Sequence, residues 1–137
     1  MKANYATLAF LVVCAVIFVI FAWGLPMTAP HITGVVITIP SFLLFALARI
    51  QLGRAFSVQA KATTLVTTGL YSRIRNPIYV FGGLMIAGII ICVDKPWWLL
   101  ILAVLIPMQI YRSRKEAQVL EEKFGAAYLE YKRKTWF

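Results

Sequence analysis

The chain has 137 residues, of which 61% are hydrophobic and only 14% charged, with a mean hydropathy of +0.81. Soluble domains carry roughly 25% charged residues, so this composition excludes an ordinary water-soluble globule and predicts a single all-helical integral membrane domain over residues 1–137. The formal charge of +9 then follows from positive-inside loops and anionic headgroups, and no nucleic-acid partner is expected.

The first apolar run, about 5–24, is long enough to span and lacks a small-residue cleavage site before Pro26, so it is read as a retained helix closed by Trp23. Pro26 and Pro30 break it, and His31, beside Pro30, is expected at the surface or interface without a role. A second span is placed at about 32–52, kinked by Pro40, with Arg49 near enough to its end to reach the headgroups. Cys14 and Cys92 lie inside apolar runs, too few for a disulfide framework or a zinc site, and read as packing residues.

A polar, basic loop occupies 53–77, and its last part, Gly69 to Tyr79, holds the densest recognition chemistry of the chain. A loop of that length in so small a domain is usually functional. Asn76 followed by Pro77 is a helix start, the amide suiting the cap and the ring the first helical position. The third span, about 78–93, carries Gly83 and Ala87 one turn apart, which permits close approach of a neighbouring helix. Asp94-Lys95-Pro96 is a tight turn, and Trp97 and Trp98 anchor a fourth span, about 97–111, that completes a helical hairpin with the third. Beyond Tyr111 the helix continues into a charged tail, 112–137, with a stop at Gly125 and an amphipathic end suited to an anionic surface. Of the 14 Lys and Arg, only Lys95 falls in the turn between the third and fourth spans. Four spans with both termini and the long loop cytoplasmic satisfy that asymmetry.

No acid or base lies mid-span, which argues against a proton-coupled transporter. A phosphate-cradling loop, a Ser-His-Asp set and a zinc-protease motif are all missing from the sequence. What remains is a polar rim on an apolar helical box. Arg75 offers a planar fork of donors, Asn76 donates and accepts, and Tyr79 carries a phenol one turn into the third helix.

The run Leu65 to Tyr71, then Arg75-Asn76-Pro77-Ile78-Tyr79, then Glu116 to Leu120, Phe124-Gly125, Tyr128 and Tyr131 resembles the isoprenylcysteine carboxyl methyltransferase family and its phospholipid methyltransferase relatives. Leu52-Gly53-Arg54 and Phe56-Ser57 resemble the family's upstream segment, so the likeness covers roughly 52–137, leaving the first two spans without a signature. The resemblance implies methyl transfer from S-adenosylmethionine to a lipophilic acceptor, with membrane lipids as surroundings. It assigns cofactor contacts to Tyr71, Arg75, Asn76, Pro77, Tyr79, Glu116, Leu120, Tyr128 and Tyr131, and catalytic positions to Arg75, Glu116 and Arg112. Three positions depart from the family pattern. Asn76 replaces the usual His and cannot titrate, Ala117 replaces the second acid of a Glu pair, and Phe81 replaces a Gly.

Each residue also has a plainer role: Asn76-Pro77 as a cap, Arg73 and Arg75 as headgroup anchors, Glu116 as an ion-pair partner of Arg112, and Tyr128 and Tyr131 as tail packing. A nicotinamide-dependent membrane reductase of the sterol-reductase type is the rival enzyme class. A catalytically degenerate lipid-binding member is the rival outside enzymes.

Overall fold

The computed structural model describes residues 5–53 and 65–137. Arg54, Phe56, Ser57, Lys61 and the first part of the 53–77 loop, with Lys2 at the N-terminus, lie outside the described residues. Those that are described form five α-helices and no named strand: α1 Tyr5–Trp23, α2 Ala29–Leu52, α3 Pro77–Val93, α4 Leu99–Phe124 and α5 Ala126–Lys134. Short 3-10 turns occupy Gly69–Ser72 and Pro96–Trp98.

Helix α2 begins a turn earlier than expected. Thr28 caps it, its Oγ1 accepting the His31 N–H at 3.4 Å, and Pro30 sits in the first turn, where a missing N–H costs nothing. The helix runs unbroken through Pro40, with Ser41 Oγ donating to the Ile37 carbonyl at 2.7 Å. Among the described residues it is the one helix long and apolar enough to cross a membrane. Shorter apolar stretches occupy 8–23 in α1 and all of α3.

The closest packing is between α2 and α3, and small residues set it. A Cβ added at Gly34 would meet the Cys92 backbone nitrogen at 2.3 Å, and one at Gly88 would meet Thr38 Oγ1 at 2.4 Å and its nitrogen at 2.9 Å. Gly34-x-x-x-Thr38 and Gly88-x-x-x-Cys92 therefore face each other as paired small-residue stripes. Gly83, expected to face a neighbouring helix, faces α4 and not the α2 seam. Helical phase turns Gly88 onto α2, while a Cβ at Gly83 would instead sit 3.6 Å from the Gln109 side chain of α4.

His31 is the second correction. It is only 4% exposed, because it lies in the first turn of α2, where Nδ1 lies 3.1 Å from Cys92 Sγ near the far end of α3. The pairing gives a buried ring nitrogen a partner and explains both burials at once.

Asp94 adopts the left-handed conformation (φ 53°) and ends α3, as the tight turn required. Helix α4 then runs 26 residues without interruption from Leu99 through Pro107 into the charged segment. At about 1.5 Å per residue it is roughly 39 Å long, longer than a hydrocarbon core of about 30 Å, so an apolar half and a polar half share one rod. Gly125 closes it with φ 52°, and α5 folds back on it. Large apolar side chains face outward along both ends of the bundle, among them Val13, Ile17 and Ile20 of α1 and Leu100 and Val104 of α4.

Candidate functional site

The polar end of the bundle is assembled from the end of α2, the segment Gly69–Asn76, the first turn of α3 and the charged half of α4 with α5 behind it. Gln51, in the last turn of α2, accepts the Leu70 N–H at 2.8 Å. Gly69 has φ +63°, which favours glycine, and a Cβ there would lie 2.5 Å from the Gln51 amide and push it from its place. This clamp delivers Tyr71 to the interior.

Tyr71 is buried, and its carbonyl accepts the Tyr131 hydroxyl at 2.7 Å, joining α5 to the loop. Tyr128 is fully buried beside Tyr131, with ring centroids 6.2 Å apart. These two tyrosines turn inward, onto the loop, and do not lie on the outer face of the tail. Arg75 acts electrostatically on both.

Asn76 occupies the cap position of α3, yet its side chain makes no cap hydrogen bond. Its Nδ2 donates to Ser113 Oγ of α4 at 2.7 Å. Its own N–H is satisfied by the Phe137 carbonyl at 3.0 Å. Pro77, at the first helical position, is among the most completely buried side chains.

One turn on, Tyr79 Oη donates to Glu116 Oε1 at 2.6 Å, and Arg112 Nε donates to the same oxygen at 3.3 Å. Helical side chains lean toward their own N-terminus, so Tyr79 points back to the polar end while Glu116 leans along α4 to meet it. Oε2 of Glu116 takes part in neither bond.

Burial raises the phenols of this region above their ordinary range. Tyr131 is pushed up to about 12, with the neighbouring Tyr128 adding to the effect. Tyr71 is raised by burial first, then by Tyr131 and Glu116, and Tyr128 rises for the same leading reason. All three are neutral hydroxyl donors at neutral pH.

At this end Tyr71 Oη, Arg75 Nε and Tyr128 Oη are buried polar atoms with no hydrogen-bond partner among the described residues, as is Thr38 Oγ1 in the α2–α3 seam. Unsatisfied buried donors cost about 1–3 kcal/mol each. Arg75 and Tyr128 act on each other electrostatically, and Tyr71 is joined to the same region through Tyr131.

The expected set is thus largely brought together. Tyr71, Arg75, Asn76, Pro77, Tyr79, Arg112, Glu116, Tyr128 and Tyr131 form one connected region, and Leu120 lies half-buried one turn beyond Glu116 on α4. Sequence reasoning missed Ser113, Gln51 and the backbone of Trp136 and Phe137. Ser113 had a usable signal, since it precedes Glu116 by three residues and so shares its helix face.

Apolar helices with a polar end that carries partnerless donors and a bonded carboxylate make a helical protein of membrane type. The model of the family described as phospholipid methyltransferase matches residues 29–127, most of the chain, and the chain belongs to that family. The match begins at the start of α2, so the second helix, which showed no signature in sequence, lies inside it, whereas Tyr128 and Tyr131 lie beyond its end. Membership makes the protein a membrane methyltransferase. Neither a curated protein nor a solved structure matches the chain.

Proposed function

We propose that the protein transfers a methyl group from S-adenosylmethionine to a lipophilic acceptor, an isoprenylcysteine-type carboxylate or a related lipid, at the cytoplasmic membrane face. The observation that carries this reading is the trio of partnerless donors on Tyr71, Arg75 and Tyr128, a short distance along the chain's polar end from the Tyr79–Glu116–Arg112 cluster.

S-adenosylmethionine, when bound, supplies an electrophilic methyl group on a sulfonium. The donor set fits its remaining groups. Arg75 and the two phenols suit its carboxylate, and the Glu116 carboxylate suits its ammonium. Asn76 and Pro77 fix the start of α3 against α4, and Leu120 contributes an apolar wall. Tyr79 and Arg112 hold Glu116 in one rotamer, so the carboxylate is oriented before a ligand arrives. Arg112 also provides a positive charge to align an anionic acceptor.

Methyl transfer asks for in-line placement and exclusion of water more than for proton movement. An Asn at position 76 is compatible with that demand because its task here is to bond Ser113, which needs no titration. Four spans, formed by α1, α2, α3 and the apolar half of α4, with both termini cytoplasmic, suit the outward apolar side chains and the clustering of basic residues.

The test is a radiolabelled methyl-transfer screen of the purified protein over lipid extracts. Label should appear in a lipid fraction with wild type and disappear with Glu116→Gln. Label incorporated equally by both proteins contradicts the assignment of Glu116.

A further inference from the structure

The last residues of the chain make contacts that the family match does not include. Trp136 N–H donates to the Arg73 carbonyl at 3.0 Å, Arg75 N–H donates to the Trp136 carbonyl at 3.2 Å, and Asn76 N–H donates to the Phe137 carbonyl at 3.0 Å. Ile74 and Trp136 form an isolated parallel β-bridge. A turn earlier, Tyr131 is bonded to the Tyr71 carbonyl, and Thr135 Oγ1 bonds back to the Tyr131 carbonyl at 3.0 Å. Each of these hydrogen bonds between the loop and residues 136 and 137 is made by backbone, and the side chains are partly exposed, Trp136 63% and Phe137 45%.

We propose that Trp136 and Phe137 form a positioning strap whose backbone fixes Arg75 and Asn76, and through them the donors that receive the cofactor. Two consequences of the geometry support it. The strap holds the Asn76 N–H, so the side chain that bonds Ser113 leaves from a fixed peptide. It also brackets Arg75 between two bonded peptides, so its side chain leaves from a fixed backbone toward Tyr128 and Tyr131. A loop held only by its own residues would have to pay that ordering entropy on binding.

The role of Arg75 in this proposal rests on the methyltransferase reading, so the experiment separates the two. Trp136→Pro removes the N–H that bonds Arg73. Thr135 is already extended (φ −117°, ψ 148°), the conformation a residue before proline prefers. Trp136→Ala keeps the whole backbone and deletes only an exposed ring.

Amide hydrogen exchange of the ligand-free proteins reads the strap directly. Protection at Arg75 and Asn76 should fall in Trp136→Pro and persist in Trp136→Ala. Titration with S-adenosylhomocysteine reads its effect, with binding weakened about threefold to tenfold in Trp136→Pro alone, the value of one to two lost hydrogen bonds, and thermal melting of the helices unchanged. Equal loss of protection in both variants, or full protection in both, overturns the strap. Altered protection without any change in a measurable affinity overturns its role in positioning. A wild type that binds no S-adenosylhomocysteine overturns the reading of the site, and the exchange pattern still decides the strap.

Discussion

The α2–α3 seam and the polar end share the same two helices but are held by different forces. Along the seam the helices meet through glycines and leave no room for a side chain at Gly34 or Gly88. At the polar end the partners are 37 or more residues apart in sequence and joined by single hydrogen bonds, Asn76 to Ser113, Tyr79 to Glu116 and Tyr131 to Tyr71. Shape fixes the scaffold, and directional bonds fix the site. The first should break abruptly under substitution, the second by increments.

The sharpest contrast is expected from Gly34→Ala. Its Cβ would fall 2.3 Å from a backbone atom of α3, which cannot swing aside as a side chain can. A loss of about 3 kcal/mol is expected, the upper part of the overpacking range, read as a lower melting temperature in detergent. An unchanged melt would mean that the two helices are not in contact there.

The polar end should respond more gently. Asn76→Ala and Ser113→Ala should each cost about 1 kcal/mol, and the double variant little more than either single one, because they remove the same bond. Strict additivity in that cycle would show that the two side chains do not meet. Loss of Ser113 should also weaken cofactor binding less than loss of Glu116.

The smallest effect is an alkaline one. Burial raises the Tyr131 phenol to about 12, against about 10 for an exposed one. Its neutral form is thus favoured by folding, so the contribution is fully present below about pH 10 and is lost as pH rises from about 10 toward 12. Ultraviolet phenolate absorbance should show delayed components from the buried phenols, and Tyr131→Phe should remove one phenol's share of them, whereas an undiminished delayed absorbance would show that Tyr131 is not among them.

The same division explains what was legible in the sequence. The helix start at Asn76-Pro77, the turn at Asp94, the stop at Gly125 and the continuation of α4 into its charged half all depend on neighbours in the chain, and all were readable from local rules. The burial of His31 against Cys92, 61 residues away, depends on how two helices are phased, which no local pattern contains. For the same reason only the phasing shows that Gly88 meets α2 while Gly83 meets α4. At the polar end, the family resemblance named residues that the structure brings close together, but the direction of the Asn76 side chain depends on where α4 presents Ser113, 37 residues on. Number of spans and orientation rest on hydropathy and charge, with α2 the one helix meeting the length and apolarity of a span among the described residues.

The most direct test of the central claim is calorimetric titration of detergent-purified protein with S-adenosylhomocysteine, run beside a reduced nicotinamide dinucleotide. Saturable binding of the first alone is expected, with Arg75→Ala and Glu116→Gln each weakening it about tenfold or more, as for loss of a charged hydrogen bond. Binding of the nicotinamide alone, or of neither ligand to folded protein, would contradict the account.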